Sequence, residues 1–325
     1  MKKLFALLIA CLLLSACGGN GDEHEPDIGQ ELELGMRFNE DFIYEIWPDE
    51  NVKIHRYIGS SPDVIVPSEI DGNTVFMIEN WAFLPFYSEE RFNYFFSGYD
   101  LGIEYNDLII AEVETLYLPD TLIQMPFLDN NKTLRTVNVP SSITEIRPNT
   151  FAGSINLVEV DISDTVTRIG LGTFHACESL ISVRIPEGVT DIRVNTFNGC
   201  ISLEEVILPS TLISIHEWVF YDCVSLKEII IPDNIEHIGA HAFRNCKSLR
   251  EIVIPEGIIE LSNLVFSGCD SLEKLYLPRS LEKITERTFE GMPLATLTIY
   301  CYSDSKVPEL LDWHPGKFNI EFIDE

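Results

Sequence analysis

Phenylalanine recurs at a constant spacing of 23 residues through the second half of the chain. The ladder consists of Phe151, Phe174, Phe197, Phe220, Phe243, Phe266 and Phe289. A fixed period of this length is the signature of a repeat protein, in which each unit buries its apolar face against its neighbours. The spacing therefore predicts an elongated stack of similar coils.

Other columns keep register with phenylalanine. Three residues after it stand Cys177, Cys200, Cys223, Cys246 and Cys269. Further along each coil, two apolar residues spaced two apart precede a proline, as in Ile229, Ile231 and Pro232. Alternating apolar residues indicate a short strand, and proline ends a strand because it has no N–H to donate. Each coil therefore predicts one strand followed by a turn.

The combined motif FxxCxSLxxIxIPxxVxxI resembles the BspA-like class of leucine-rich repeats. The resemblance implies a mainly β, right-handed leucine-rich-repeat solenoid of 23-residue coils. A parallel β ladder of about ten strands would form its concave face, with turns and 3₁₀ pieces on the convex face. The coil at Phe289 carries Met292 at the cysteine position and is interpreted as one residue short.

The N-terminus has the pattern of an export signal. A basic start, Met1-Lys2-Lys3, precedes an apolar stretch over 4–14 and then Ser15-Ala16-Cys17. This arrangement resembles the lipobox of bacterial lipoproteins, in which the cysteine sulfur is acylated and the preceding peptide bond is cut. The resemblance implies an exported protein, lipid-anchored through Cys17 to the cell membrane or outer membrane and surface-exposed. The alternative is an ordinary signal peptide with a chance cysteine.

These features divide the chain into six segments. The predicted boundaries are a lipoprotein signal peptide (1–16), an acidic Gly-rich tether (17–35), an N-terminal cap with the first repeat (36–83), an aromatic-rich insertion (84–112), BspA-like repeats (113–300) and a C-terminal cap (301–325).

The formal net charge of −30 repels nucleic acid and favours a cationic partner, and the alternative interpretation is solvation of a long repeat protein. No paired cysteines of the CxxC kind and no nucleophile or phosphate-loop motif occur in the sequence. We therefore expect no cofactor, no metal, no catalytic residue and no enzymatic activity. The cysteine column is expected to be core, with disulfides between adjacent coils as the alternative.

Outward-pointing strand residues form the main candidate site. One outward column becomes apolar at Ile207, Ile230, Val253 and Tyr276, and a neighbouring column carries Glu205, Glu228 and Glu251. An apolar strip beside carboxylates predicts a groove for an extended or basic peptide. The alternative is β-propensity alone, since Ile and Val fill strands whether or not a ligand binds.

A second candidate site lies in the insertion, where the aromatics Phe92, Tyr94, Phe95, Phe96 and Tyr99 cluster. Aromatic residues are favoured at binding hot spots. The insertion is also close to one coil in length, so its aromatics have a second interpretation as the core of a degenerate coil.

The BspA-like resemblance implies a surface protein that binds protein or peptide ligands in the manner of an adhesin, including basic segments or host extracellular matrix. Together with the lipobox it predicts a cell-surface lipoprotein, which we expect to be a monomer. A structural envelope lipoprotein without a host ligand and a carbohydrate-active enzyme are the alternatives.

Overall fold

The computed structural model describes residues 36–39, 41–80, 82–83, 112–285, 287–312 and 318–323. The predicted signal peptide and tether lie outside these residues, and so does the insertion apart from Glu112.

The N-terminal part forms a five-stranded sheet of order β1-β2-β3-β6-β5. Its strands are β1 Met36–Phe38, β2 Phe42–Ile46, β3 Asn51–Tyr57, β5 Glu69–Ile70 and β6 Asn73–Ile78. The pairs β1–β2, β2–β3 and β5–β6 are antiparallel, whereas β3 and β6 are parallel. This mixed sheet covers the first end of the stack and differs from the parallel coils that follow.

A first parallel ladder runs along the stack, and we call its outward side the concave face. Ten strands are described in it: β4 Asp63–Ile65, β7 Thr115–Tyr117, β8 Thr136–Val139, β10 Glu159–Ile162, β12 Ser182–Arg184, β14 Glu205–Ile207, β17 Glu251–Val253, β19 Lys274–Tyr276, β21 Thr298–Cys301 and β22 Asn319–Phe322. Neighbours are one coil apart, as in the pair Ser182 and Glu205. The predicted solenoid of stacked parallel coils is confirmed.

A second ladder of two-residue strands runs along another side of the coils. It comprises β9 Glu145–Ile146, β11 Arg168–Ile169, β13 Asp191–Ile192, β15 Ser214–Ile215, β16 His237–Ile238, β18 Glu260–Leu261 and β20 Lys283–Ile284. The sequence interpretation expected only turns here, because one buried residue per strand is too short a pattern to show alternation.

Turns make up most of the remaining coil. The described residues add one 3₁₀ turn, Leu294–Thr296, and one four-residue helix, α1 Val307–Leu310. In this part of the chain, no helix has the length and apolarity needed to cross a bilayer.

The phenylalanine ladder fills the interior. The rings of Phe151, Phe174, Phe197 and Phe220 lie parallel, with centroids 5.3–5.5 Å apart. All seven phenylalanines of the ladder are buried. Burying each side chain contributes about 1.5–3 kcal/mol, so the ladder is a main source of stability.

The coil that contains Phe289 is longer than its predecessors. Lys274 pairs with Thr298 and Tyr276 with Tyr300, so this step spans 24 residues. The expectation that this coil is one residue short is wrong. The added residue falls between Phe289 and the strand β21, where the 3₁₀ turn lies.

The first ladder is interrupted twice in the described chain and forms sheets of four, two and four strands. At the second interruption, Ile229 and Ile231 are buried as predicted. However, the backbone of residues 228–231 makes no described hydrogen bond to another backbone group, and Lys227 N reaches Glu204 O at 3.4 Å. Glu228 follows Glu205 and precedes Glu251 in the same column, and like charges on adjacent strands weaken pairing. The prediction of one continuous ladder is corrected accordingly.

Candidate functional site

The predicted apolar stripe is assembled on the concave face. Along each three-residue strand the middle side chain points into the core, so the first and third point outward. The third positions Ile207, Ile230 and Val253 are 52%, 85% and 53% exposed. Tyr276 continues the stripe and is half-buried. We refer to these four residues as the apolar stripe.

The structure lengthens the stripe by one residue that the sequence interpretation missed. Tyr300 pairs with Tyr276, and their rings stack with centroids 4.5 Å apart and planes 13° apart. Extrapolating the constant period misses Tyr300 because the step before it is one residue longer. The signal was available in the sequence as an aromatic residue one position beyond the expected place.

The same column is apolar at its other end and polar in between. Ile65 and Tyr117 are exposed and pair with each other. Asn138, Asp161 and Arg184 separate them from the stripe.

Two of the separating residues have structural partners. Asn138 exchanges two hydrogen bonds with the backbone of Leu118, whose N–H donates to Asn138 Oδ1 at 2.6 Å and whose carbonyl accepts from Nδ2 at 2.9 Å. Arg184 Nη1 lies 2.8 Å from Asp164 Oδ1. These polar positions therefore serve the fold, and the apolar stripe is a separate feature.

A column of carboxylates flanks the stripe, at the first position of the same coils. Glu205, Glu228 and Glu251 are all exposed, and we call them the acidic column. Lys274 Nζ lies 3.2 Å from Glu251 Oε2, and this hydrogen bond and ion pair raise the pKa of Lys274. Glu205 and Glu228 form no ion pair with any described residue, so their charges are available to a partner.

The remaining predicted site residues lie outside the described residues. These are the lipidation site Cys17 and the insertion aromatics Phe92, Tyr94, Phe95, Phe96 and Tyr99.

The five cysteines of the repeat column are buried and form no disulfide bond. Each thiol of the repeat column donates a hydrogen bond to a phenylalanine carbonyl one coil earlier, such as Cys177 Sγ to Phe151 O at 3.2 Å. Burial raises the pKa of the Cys177 and Cys269 thiols to about 12. Thiols in this state are poor nucleophiles and poor metal ligands, so the column belongs to the core.

A stacked pair of aromatic rings that does not recur in the other coils lies outside the concave face. The Trp218 and His241 rings stack with centroids 3.9 Å apart, at backbone φ values of 62° and 61°. In the two preceding coils the same position of the repeat holds Gly172 and Asn195. Glycine and asparagine adopt this left-handed backbone conformation at lower cost than Trp or His. Burial, reinforced by Arg244 and Arg287, lowers the pKa of His241.

No group of three or more His, Cys, Asp or Glu side chains suited to a metal ion occurs in the described ranges. The concave face combines exposed apolar area with negative charge.

The stacked coils, the parallel ladder and the buried Leu and Phe columns define a leucine-rich-repeat β-solenoid. The family described as "BspA type Leucine rich repeat region" matches in six copies, over residues 111–204 and 190–306. This match covers more than half of the chain, and the chain therefore belongs to the BspA-type leucine-rich-repeat family.

Two solved structures share the fold. A leucine rich cell surface protein from Faecalibacterium prausnitzii is 19% identical, with a TM-score of 0.52 over 93% of this chain and 96% of that chain. A leucine-rich repeat protein from Bacteroides ovatus is also 19% identical, with a TM-score of 0.53 over 87% of this chain and 75% of that chain. No curated protein matches the chain.

Proposed function

We propose that this protein is a cell-surface lipoprotein whose concave face binds a protein or peptide ligand, in the manner of an adhesin. The observation that carries the proposal is the exposure of the apolar stripe, which reaches 85% at Ile230. Contiguous exposed apolar residues beside unpaired carboxylates are typical of interaction sites. The scaffold is non-catalytic under this proposal, and a monomer presents the face.

Two observations support the surface location. The N-terminal pattern that ends at Cys17 resembles a lipobox, and acyl chains on its sulfur hold a protein on a membrane. The F. prausnitzii relative in fold is described as a cell surface protein.

Ligand capture tests the binding function. The full chain with Cys17→Ser, which lacks the lipid acceptor, is immobilised and exposed to extracellular matrix proteins and cell extracts. Ligands that bind it are then tested against Ile230→Lys/Val253→Lys. The matched control is Ile123→Lys/Ile259→Lys, because these residues are also exposed but precede the second ladder.

We expect the stripe variant to lose the ligand and the control variant to keep it, with equal thermal stability of the two. Equal capture by both variants would refute the concave face as the binding site.

The anchor is tested separately in cells that produce the full chain. Wild-type protein should incorporate labelled fatty acid and be removed by protease treatment of intact cells, and Cys17→Ser should lose the label. A labelled protein that resists the protease would favour a structural envelope lipoprotein instead.

A further inference from the structure

The shape of the apolar stripe restricts how a ligand can lie on it. The strands beneath it are three residues long, or about 10 Å, and neighbouring strands are about 4.8 Å apart. From Ile207 to Tyr300 the column takes four steps, or roughly 19 Å. A ligand that contacts every side chain of this narrow column must therefore run along the solenoid axis, across the strands.

The step between coils favours a helical ligand over an extended one. An α-helix returns a side chain to the same face about every 5.4 Å, which differs from the coil step by about 0.6 Å. An extended chain returns one about every 6.7 Å, a difference of about 1.9 Å per step. Over the four steps of the stripe the mismatch grows to about 2.4 Å for the helix, half of one coil step, and to about 7.6 Å for the extended chain, more than one whole step.

The charges along the stripe are asymmetric. On one side stands the acidic column, in which Glu205 and Glu228 have no described ion-pair partner. On the other side the next positions of the same alternation hold residues without charge, Pro209, Pro232, Pro255 and Pro278. A matching ligand therefore has an apolar strip with cationic side chains along one edge of it.

The second interruption of the ladder lies at the centre of the acidic column. Residues 228–231 lack described backbone hydrogen bonds at the middle member of three successive carboxylates. Cations placed beside this column would relieve the repulsion between adjacent strands.

We infer that the stripe binds a basic amphipathic α-helix of a partner protein, lying along the solenoid axis with its Lys and Arg residues towards Glu205, Glu228 and Glu251. This inference rests on the proposed function and specifies the partner's chemistry.

The test uses the full chain with Cys17→Ser and three synthetic peptides of equal length. The first has leucines at helical spacing with lysines along one edge. The second has the same composition with leucine and lysine alternating, so that it is amphipathic only when extended. The third is the first with glutamate in place of lysine. Affinities are measured at physiological ionic strength, where exposed charges more than about 8 Å apart are largely screened.

We expect the helical basic peptide to bind at least tenfold more tightly than either of the others. Ile230→Lys should weaken its binding by about tenfold or more, whereas Ile259→Lys should not. Glu205→Gln/Glu228→Gln should weaken binding more than the matched pair Glu69→Gln/Glu236→Gln, whose glutamates are exposed elsewhere.

Hydrogen exchange gives a readout within the site. Binding should slow exchange of the amides of residues 228–231, and Ile230→Lys should remove this protection.

Failure of the inference is distinguishable from failure of the proposed function. If the alternating peptide binds more tightly than the helical one, and Ile230→Lys weakens that binding, the helical conformation of the ligand is refuted. The concave face then remains the binding site. Equal binding of the helical peptide to Ile230→Lys and Ile259→Lys, or no binding to the unsubstituted face, would also overturn the inference. Ligand capture tests the proposed function independently of these peptides.

Discussion

The thiol of Cys200 donates a hydrogen bond to the carbonyl oxygen of Phe174, 3.1 Å away in the preceding coil. The same bond recurs through the column, and Ser154 makes it with its hydroxyl to Leu128 O at 2.6 Å. The coils from Ser154 to Cys269 therefore share a small buried donor at this position, which Met292 replaces in the coil at Phe289.

Substitution of Cys200 tests the requirement for a donor. Cys200→Ala removes the sulfur contacts and the hydrogen bond, and we expect a loss of about 1–2 kcal/mol in the free energy of unfolding. Cys200→Ser keeps a donor, as Ser154 does, and should cost less. Urea denaturation measures both variants. A serine variant less stable than the alanine variant would show that apolar packing, not donation, selects cysteine.

The buried thiols should be unreactive in the native protein. Burial raises the pKa of each thiol in the column, so the thiolate that reacts with iodoacetamide is scarce at neutral pH. We expect labelling of Cys177 to Cys269 only after denaturation, followed by peptide mass spectrometry. Rapid native labelling would contradict the burial. Disulfide-linked peptides from adjacent coils would contradict the free thiols.

The phenylalanine ladder should dominate stability. Phe197 lies between two parallel rings, with centroids 5.3 and 5.5 Å away. Phe197→Ala should therefore lower the free energy of unfolding by about 3–5 kcal/mol. Ile201→Ala in the same coil is the control, because Ile201 is exposed, and it should change stability by less than about 0.5 kcal/mol. Similar losses from both variants would contradict a ladder-based core.

Asn138 should be more important for the fold than its outward position suggests. Asn138→Leu removes both hydrogen bonds to Leu118, and a loss of about 2 kcal/mol is expected from denaturation curves. Asp161→Leu, one coil later in the same column and exposed, should be nearly neutral. The account fails if the two substitutions are equivalent.

His55 should contribute to acid sensitivity. Burial lowers its pKa, outweighing its hydrogen bond to Glu45, with Lys53 and Glu79 also nearby. The unfolded chain therefore binds the proton at a higher pH than the folded protein does, starting near about pH 6.5. As pH falls below this value, the free energy of unfolding decreases by at most about 1.4 kcal/mol per pH unit.

The check is a comparison of melting temperatures from neutral pH to pH 5. His55→Gln should flatten the dependence relative to the wild type, and the control His237→Gln, at an exposed position, should not. An unchanged slope for His55→Gln would contradict this assignment.

The sequence was sufficient to predict the repeat itself. Because every coil is one period long, the assignment of one strand transfers to the others. The burial of Phe197 and the exposure of Ile230 both follow from their columns. The stripe could be predicted for the same reason.

Features that break the 23-residue period, or are too short to show a pattern within it, do not follow from the repeat columns. The added residue before Thr298 moved Tyr300 out of its expected column. The two-residue strands contain too few residues for a pattern. The mixed N-terminal sheet depends on β3 pairing with β6 across an intervening segment, which no local signal specifies.

The hydrogen bonds between coils mostly join residues 22–26 positions apart, as in Thr211 to Val189 and Cys269 to Phe243. Each coil is thus completed by its two neighbouring coils, as when Phe174 N donates to Thr196 O in the next coil, and needs nothing from the distant end of the chain. A growing or translocating polypeptide with this property can fold in order, coil upon coil, as it emerges. Such a chain never has to hold a long unfolded stretch while it waits for its last residues.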